Sequence, residues 1–504
     1  MKKIQTYRSR THRIRSAAAA ALAIAVLLSG CAPLQKAEKQ FSSAAGKQFE
    51  TASSAASSAV ASTVESLLNS SQASSKAASS TASKAPSKAS SSVPARKTAV
   101  PVPAKKADVR SVQKINTSLP SKTLAKKELT APAISSQSYA QVQQASAYQN
   151  LSGSEKELYS LIKNSVYQIA LQPVAQGYYP IGQIWTSQKL SEAQIRVALT
   201  AFMDDNPKVF WLANAYTYGY NGNTTIVQLF SVLSITDAQA AVSQLETTVS
   251  SVLQAMPSGL SDFDREEYLF NYIVAHCTYD NAAVTDTSRW QAFTSYGALV
   301  GGLAVCEGYA KAMQLLAGYA GLTCTVVHGS SQGVGHMWNA VVIGGKWYNL
   351  DVTWSDSTVL VYNYFNIPDS VLKLTHTIGA PASSLTDAQI NADDTQYNVF
   401  LPSCTSTDEN YFRVKGVSVS SQKDAGDSSI IQSLAADMKA GRTSLAFFIE
   451  GTSYDSQISA IMSTKMYHWL TAAAGQSGRT LNMGDLNYVT DKSDSGLTMH
   501  VSYQ

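Results

Sequence analysis

The spacing of hydrophobic residues predicts a helix followed by three strands in the middle of the chain. From Cys306 onward, apolar residues recur at intervals of three and four until Gly321, as in an amphipathic helix. Three segments between residues 323 and 352 are rich in β-branched and apolar residues. The second and third segments, 336–343 and 346–352, are separated by only two glycines, which predicts a tight hairpin.

The predicted hairpin has a register that can be tested. If Ile343 pairs with Lys346, His336 faces Thr353 across the hairpin and Asp351 becomes its diagonal neighbour. Diagonal neighbours have Cβ atoms at most about 7–8 Å apart, which an imidazole and a carboxylate can bridge with a hydrogen bond. A slip by one residue would place Asp351 on the opposite face of the sheet.

The segment before this region predicts helices with one hairpin. Capping boxes at 154–157 and 191–194 precede helical patterns, and 236–256 reads as a long helix. The alternating residue pattern at 215–220 predicts a strand that ends in a turn at Asn221-Gly222. We therefore predict that residues 136–258 form a mainly helical accessory domain.

The last hundred residues predict alternating elements. The pattern gives a strand at 412–420, a helix at 428–439, a strand at 443–450, a helix at 454–474 and a terminal hairpin at 487–503. This alternation is typical of a small α/β domain, which we assign to residues 402–504. It carries no chemical motif, so we interpret it as a stability or recognition module.

The N-terminus predicts export and lipidation. Six Lys and Arg residues within the first 15 positions precede an apolar stretch at 17–28, and Leu28-Ser29-Gly30-Cys31 resembles the lipobox cut by bacterial lipoprotein signal peptidase. The apolar stretch is too short to span a membrane. We predict a signal peptide at 1–30 and lipidation of Cys31, which anchors the protein at the extracytoplasmic face of the cell membrane. The alternative is an ordinary signal peptide with a chance cysteine.

Residues 31–135 are rich in Ser, Ala, Lys and Pro, and they predict a disordered tether. This segment has 15 basic and 5 acidic residues, whereas the 18 basic and 30 acidic residues from 136 onward give the folded part a net charge of −12. That charge argues against nucleic acid as a partner of the folded part. The basic tether suits wall polymers or anionic lipid headgroups, although a solvated, self-repelling linker is the simpler interpretation.

The central motifs place a nucleophile, a base and a carboxylate in that order. Cys306 lies in the first turn of the predicted helix, where unpaired N–H groups and the helix dipole favour the thiolate. His336 is placed to take the thiol proton, and Asp351 to orient the ring, which together predict acyl transfer through a thioester. The backbone N–H of Cys306 is the first candidate oxyanion donor, and the second candidates are Tyr296 and Trp290.

The other cysteines and histidines are interpreted as structural. Three cysteines besides Cys31 and Cys306 allow at most one disulfide, so the chain is not a disulfide scaffold. A cysteine in an apolar stretch is usually a buried thiol, and neither His276 nor His328 precedes a strand that leads to a carboxylate. His376, shortly after Tyr364-Phe365-Asn366, is also interpreted as structural. The residues concerned are Cys277, Cys324, Cys404, His276, His328 and His376.

Several motifs resemble the transglutaminase-like superfamily of papain-related cysteine enzymes, in its bacterial extracytoplasmic branch. The resemblance runs from Tyr268 to about His376 and includes the sequences YLFNYIVAHCTYD at 268–280, SYGALVGGLAVCEGYAKAM at 295–313, HMWNAV at 336–341, WYNLDVTW at 347–354 and YFN at 364–366. It implies that Cys306, His336 and Asp351 form a catalytic triad in a domain at 259–401, with no metal or organic cofactor. Gly301-Gly302 departs from relatives that carry a charged or polar residue there, and this affects the substrate rim.

Together these observations predict an α+β fold. A transglutaminase-like, papain-like core carries a helical N-terminal accessory domain and a small C-terminal α/β domain, and a disordered tether precedes them. We expect a lipid-anchored cysteine enzyme that cleaves or transfers peptide or glutamine-amide bonds of a substrate in the cell envelope. The alternative is a catalytically silent envelope protein that binds peptide or acts as a scaffold. A solute-binding lipoprotein is disfavoured because the chain lacks two matching α/β halves.

Overall fold

The computed structural model describes residues 147–503, apart from 175–176, 285, 287, 357–359 and 393–395, and two short segments at 5–7 and 126–129. The predicted lipidation site Cys31 and most of the predicted signal peptide and tether lie outside the described residues. Within the described part of the chain, no helix is long and apolar enough to cross a bilayer.

The accessory region contains an antiparallel sheet as well as helices, so the prediction of a mainly helical domain at 136–258 is corrected. The alternating burial of residues 224–231 is a strand signal, and six strands pair in the order β1-β5-β6-β4-β3-β2. The strands are β1 Gln5–Tyr7, β2 Lys126–Glu128, β3 Gln168–Ala170, β4 Tyr179–Trp185, β5 Leu212–Asn221 and β6 Thr224–Ser231. The helices are α1 Gly153–Ser165, α2 Glu192–Asp205 and α3 Ile235–Ala255.

The predicted capping boxes and hairpin turn of this region are only partly where the sequence placed them. The capping box at Ser191 is present as predicted, but that of α1 begins at Ser152 with Glu155, two residues before the predicted one. The hairpin at Gly222 is confirmed by its positive φ of 61°.

The boundary of the predicted tether at residue 135 also needs correction. Strand β2 pairs with β3, Leu129 is buried, and the Leu129 N–H donates to the carbonyl of Tyr167. The chain is therefore already part of the fold at residue 126. Strand β1 lies within the predicted signal peptide, so its pairing with β5 applies to the uncleaved chain.

The central region packs a helix on a five-stranded antiparallel sheet. The strand order is β12-β11-β10-β9-β13, and Ile343 pairs with Lys346 as predicted. The sheet strands are β9 Cys324–Ser331, β10 Val334–Ile343, β11 Lys346–Leu350, β12 Phe365–Ile367 and β13 His376–Ile378, and two-residue strands lie at β7 Thr278–Tyr279, β8 Leu303–Ala304, β14 Ala380–Pro381 and β15 Tyr397–Asn398. The helices are α4 Asp262–His276, α5 Cys306–Tyr319, α6 Val352–Ser355, α7 Asp369–Leu372 and α8 Asp387–Ile390.

One detail of the hairpin prediction is wrong. Strand β11 ends at Leu350, because Asp351 leaves the strand to cap helix α6. Thr353 is therefore helical and does not face His336, which pairs instead with Gly329 of β9. Asp351 nevertheless lies beside His336, as the diagonal arrangement predicted.

Helix α5 is held deep in the main hydrophobic core. Met313, Leu315 and Leu316 have no exposed surface, and they belong to a core cluster that joins the accessory and central regions. Burial of each such side chain contributes about 1.5–3 kcal/mol. The N-terminus of α5 is therefore fixed relative to the sheet by packing along its whole length.

The C-terminal region has a second core and a four-stranded sheet in the order β16-β17-β19-β18. The helix at 428–439 is confirmed, but the predicted strand 412–420 begins as a short helix. The predicted helix 454–474 breaks at Lys465, whose ammonium group bonds the carbonyls of Ser421 and Lys423. The elements are α9 Tyr411–Lys415, β16 Val417–Val419, α10 Ser428–Lys439, β17 Ser444–Ile449, α11 Tyr454–Thr464, α12 Met466–Ser477, β18 Asn487–Asp491 and β19 Gly496–His500.

Candidate active site

Cys306 is the first residue of helix α5, as the hydrophobic spacing predicts. Val305 is the N-cap in an extended conformation, and Gly302 supplies a left-handed turn (φ 68°) just before it. Gly308 lets the first turn of α5 pack closely against the backbone at Ala292. A Cβ at position 308 would lie 2.5 Å from the Ala292 carbonyl oxygen. The packing leaves Cys306 only 4% exposed, with its thiol at the positive end of the helix.

His336 and Asp351 come together at one end of the sheet. The Nε2 atom of His336 lies 2.7 Å from Oδ2 of Asp351, and both side chains are buried. The other carboxylate oxygen, Oδ1, accepts the backbone N–H of Trp354 at 3.0 Å. This second bond fixes the rotation of the carboxylate, because one oxygen is held by the backbone while the other faces the ring.

The Cys306 side chain also acts on His336, because its negative charge is among the influences that raise the pKa of the imidazole. Since Nε2 of the ring faces Asp351, Nδ1 is the nitrogen left for the thiol. This order of sulfur, imidazole and carboxylate is the one that a nucleophile, a base and an orienting group require.

The electrostatics of this series favour a charged imidazole. Burial lowers the pKa of His336, but the negative charges of Asp351 and Cys306 and the hydrogen bonds to both outweigh it and raise the pKa to about 10. Burial acts to raise the pKa of Asp351, but the neighbouring His336 and His376 hold it well below its usual range. At neutral pH this balance favours an imidazolium beside an ionised carboxylate.

His376 is a member of this cluster that the sequence reasoning missed. Its Nε2 lies 3.2 Å from Oδ2 of Asp351, the same oxygen that His336 contacts. The sequence had led us to predict a structural role for His376. The sequence signal that was available is the position of His376 shortly after the YFN motif. In the structure, β13 pairs with β9 there and places His376 opposite Ser331.

The same three side chains present metal-ligand atoms within 4.8 Å of one another: His336, Asp351 and His376. Both imidazoles direct Nε2 at one carboxylate oxygen, so an ion there would have to displace both of these hydrogen bonds. The hydrogen bonds alone account for the arrangement.

Comparison with known proteins bears directly on this region. Residues 251–352, which contain Cys306, His336 and Asp351, match the family model described as the transglutaminase-like superfamily. This segment is a transglutaminase-like domain. Its combination of helix and antiparallel sheet agrees with the α+β fold that the motifs predicted.

Two curated relatives share sequence with part of this chain. The kyphoscoliosis peptidase of Homo sapiens is 33% identical over 146 residues, covering 26% of this chain and 22% of that protein. The kyphoscoliosis peptidase of Mus musculus is 32% identical over 146 residues, with the same coverage. The chain thus spans about a fifth of the length of these relatives.

A solved structure titled "Crystal structure of a TGase" aligns with 17% identity over 34% of this chain and 50% of its own, with a TM-score of 0.20. That score is too low to support an argument about the fold.

The tentative oxyanion donor Tyr296 makes contacts elsewhere. Its hydroxyl donates to Oε1 of Gln244 at 2.7 Å, and its ring stacks on Phe210 at 4.9 Å. Trp290 begins a short 3-10 helix and packs against the main core. The assignment of a second oxyanion donor within the transglutaminase-like domain therefore has no supporting contact.

The other cysteines are buried free thiols, as expected: Cys277, Cys324 and Cys404. Burial is the largest influence on each and raises its pKa well above the ordinary value. These thiols differ from Cys306 because none of them hydrogen-bonds with a histidine that is paired with a carboxylate. His328 does pair with Asp204, at 2.9 Å, but no cysteine completes that pair.

Proposed function

We propose that this protein is a cysteine enzyme that cleaves or transfers peptide or glutamine-amide bonds through a Cys306, His336 and Asp351 triad. The observation that carries the proposal is the buried hydrogen bond between His336 and Asp351, with the charge of the Cys306 side chain acting on the same imidazole. It lies in a transglutaminase-like domain at the N-terminus of a buried helix.

Acylation would begin with attack of the Cys306 sulfur on the substrate carbonyl carbon. A C–S bond forms, and the carbonyl electrons move to oxygen, where the Cys306 backbone N–H is the proposed donor. The His336 imidazolium then gives its proton to the leaving nitrogen as the C–N bond breaks. A thioester on Cys306 and a free amine result, and Asp351 stabilises the imidazolium before the transfer.

Deacylation would reverse the role of His336. The ring takes a proton from water as the water oxygen attacks the thioester carbonyl, the C–S bond breaks, and an acid is released. If an amine replaces water, the product is a new amide and the net reaction is crosslinking. The peptidase name of the curated relatives favours water, and we propose hydrolysis as the main reaction.

We further propose that the enzyme works outside the membrane. The lipobox-like sequence at Leu28–Cys31 would yield a lipid anchor on Cys31, and the segment after it would tether the folded part to the membrane. The proposed substrate is a peptide or protein of the cell envelope, and the basic tether is a proposed contact for wall polymers. The negative charge of the folded part argues against nucleic acid as a partner.

Labelling with iodoacetamide tests the enzyme proposal. We expect the wild-type protein to react rapidly at neutral pH and Cys306→Ala to lose that reaction. Cys404→Ala is the matched control, because it removes a buried thiol that has no histidine partner, and it should label like the wild type. Equal labelling of the wild type and Cys306→Ala would defeat the assignment.

One observation favours the second candidate, a catalytically silent peptide-binding or scaffold protein. Cys306 is 4% exposed and His336 8% exposed, so little of either side chain is accessible to a substrate. For this candidate, Cys306→Ala would leave peptide binding and the cellular phenotype unchanged, and the wild-type thiol would resist the reagent.

A further inference from the structure

The carboxylate of Asp351 serves two imidazoles. His336 Nε2 lies 2.7 Å and His376 Nε2 lies 3.2 Å from the same oxygen, Oδ2. An ionised carboxylate can only accept hydrogen bonds, so each ring must carry a proton on Nε2. Together with the Trp354 N–H on Oδ1, the carboxylate receives three donors from three separate parts of the chain.

Thr375 fixes the position of the proton on His376. Its Oγ1 lies 2.8 Å from His376 Nδ1, closer than the 3.3 Å that separates it from the Leu372 carbonyl oxygen. A hydroxyl that donates to Nδ1 leaves the ring proton on Nε2, where it faces Asp351. The hydrogen-bonded series thus continues from His336 through Asp351 and His376 to Thr375.

Aromatic packing holds the His376 ring in this orientation. Ring centroids lie 4.7 Å away for Trp354, 5.3 Å for Trp338 and 5.7 Å for Tyr364, and the His376 side chain has no exposed surface. The titratable side chains that face it are Asp351, His336 and Tyr364. A ring confined this tightly can restrict the carboxylate that it contacts.

We propose that His376 is a positioning residue, whose Nε2–H holds the Asp351 carboxylate in line with His336. This inference rests on the proposed function, in which His336 is the base for Cys306. His376 itself touches no reacting atom. It acts through Asp351, by limiting its rotation and by keeping the carboxylate ionised as the pH falls.

Two variants of His376 separate this role from packing alone. His376→Phe keeps an aromatic ring among its neighbours but removes the donor, whereas His376→Gln places an amide N–H near the former Nε2. The measurement is the rate of Cys306 alkylation by iodoacetamide between pH 4 and 10, which needs no natural substrate. Thermal unfolding of each variant monitors the fold.

We expect His376→Phe to lower the maximum alkylation rate about tenfold, the size expected for one hydrogen bond to a charged group. With one donor fewer, the Asp351 carboxylate is held less firmly beside the imidazolium, which then stabilises the Cys306 thiolate less. The acid limb of the profile, where that thiolate takes up a proton, should therefore move upward by about one pH unit. His376→Gln should restore most of the rate and the position of the acid limb. A merely structural role would not move that limb.

The inference is overturned if His376→Phe folds and shows the wild-type profile, or if Phe and Gln behave alike. That failure differs from failure of the proposed function, in which the wild-type Cys306 itself is unreactive. If His376→Phe does not fold, Thr375→Val decides the question. It lets the ring proton move to Nδ1, so it should shift the acid limb in the same direction, and an unshifted limb would refute the positioning role.

Discussion

Asp351→Asn is the substitution that probes the electrostatics of the site most selectively, because it changes charge with almost no change in shape. Asp351 accepts from His336 and His376 on one oxygen and from the Trp354 N–H on the other. An amide has only one oxygen. If that oxygen keeps Trp354, the amide N–H₂ faces His336 and forces the ring proton onto Nδ1, where it blocks proton transfer from Cys306.

The size of the effect follows from Coulomb's law. At about 4 Å and an effective dielectric constant of about 20, two unit charges attract by about 4 kcal/mol. This corresponds to about three pKa units, similar to the rise in the pKa of His336 from its ordinary 6.5 to about 10. Without the charge, the population of the thiolate–imidazolium pair should fall about a thousandfold.

The assay is the second-order rate of Cys306 alkylation at pH 7, with mass spectrometry to assign the modified cysteine. Asp204→Asn is the matched control, since Asp204 also pairs a buried carboxylate with a histidine, His328, at 2.9 Å. We expect the control to keep the wild-type rate. An Asp351→Asn rate within about threefold of the wild type would refute the electrostatic reasoning.

Three further predictions concern the scaffold. Gly329→Ala would place a Cβ 2.2 Å from the Thr377 carbonyl oxygen, so it should separate β13 from β9 and slow Cys306 alkylation, whereas Gly219→Ala, with open space around it, should not. Arg442→Met should lower the free energy of unfolding by about 1.5–3 kcal/mol in urea titrations, because it removes one charged partner of the buried Glu267 carboxylate while Lys415 remains. Unchanged stability would contradict this. Burial lowers the pKa of His500 to about 4, so stability should fall as the pH drops from 6.5 toward 4, and His500→Gln should reduce that loss in thermal melts.

The sequence contained enough information to predict the central contact of the site. Two glycines fixed the hairpin register, and the register brought Asp351 beside His336. Both signals are local, because a two-residue loop leaves little freedom to the flanking strands. The helical period likewise located the start of α5 at Cys306, since capping and packing act within a few residues.

Other features depend on pairing between distant segments, and local patterns could not reveal them. His376 reaches Asp351 only because β13 pairs with β9, some 45 residues earlier in the chain. The accessory sheet was missed because β3 has three residues and β4 contains Pro180 and Gly182, which weaken a strand pattern. The capping role of Asp351 was hidden because its predicted strand extended to residue 352.

The most direct test of the central claim is to trap a covalent intermediate on Cys306. The protein would be mixed with a peptide activated as a p-nitrophenyl ester, quenched in acid within seconds, and digested for mass spectrometry. We predict an acyl adduct on the Cys306 peptide that forms in a burst and then disappears by hydrolysis. In Cys306→Ala no adduct should form. An adduct on another cysteine, or none on the folded wild-type protein, would contradict the account.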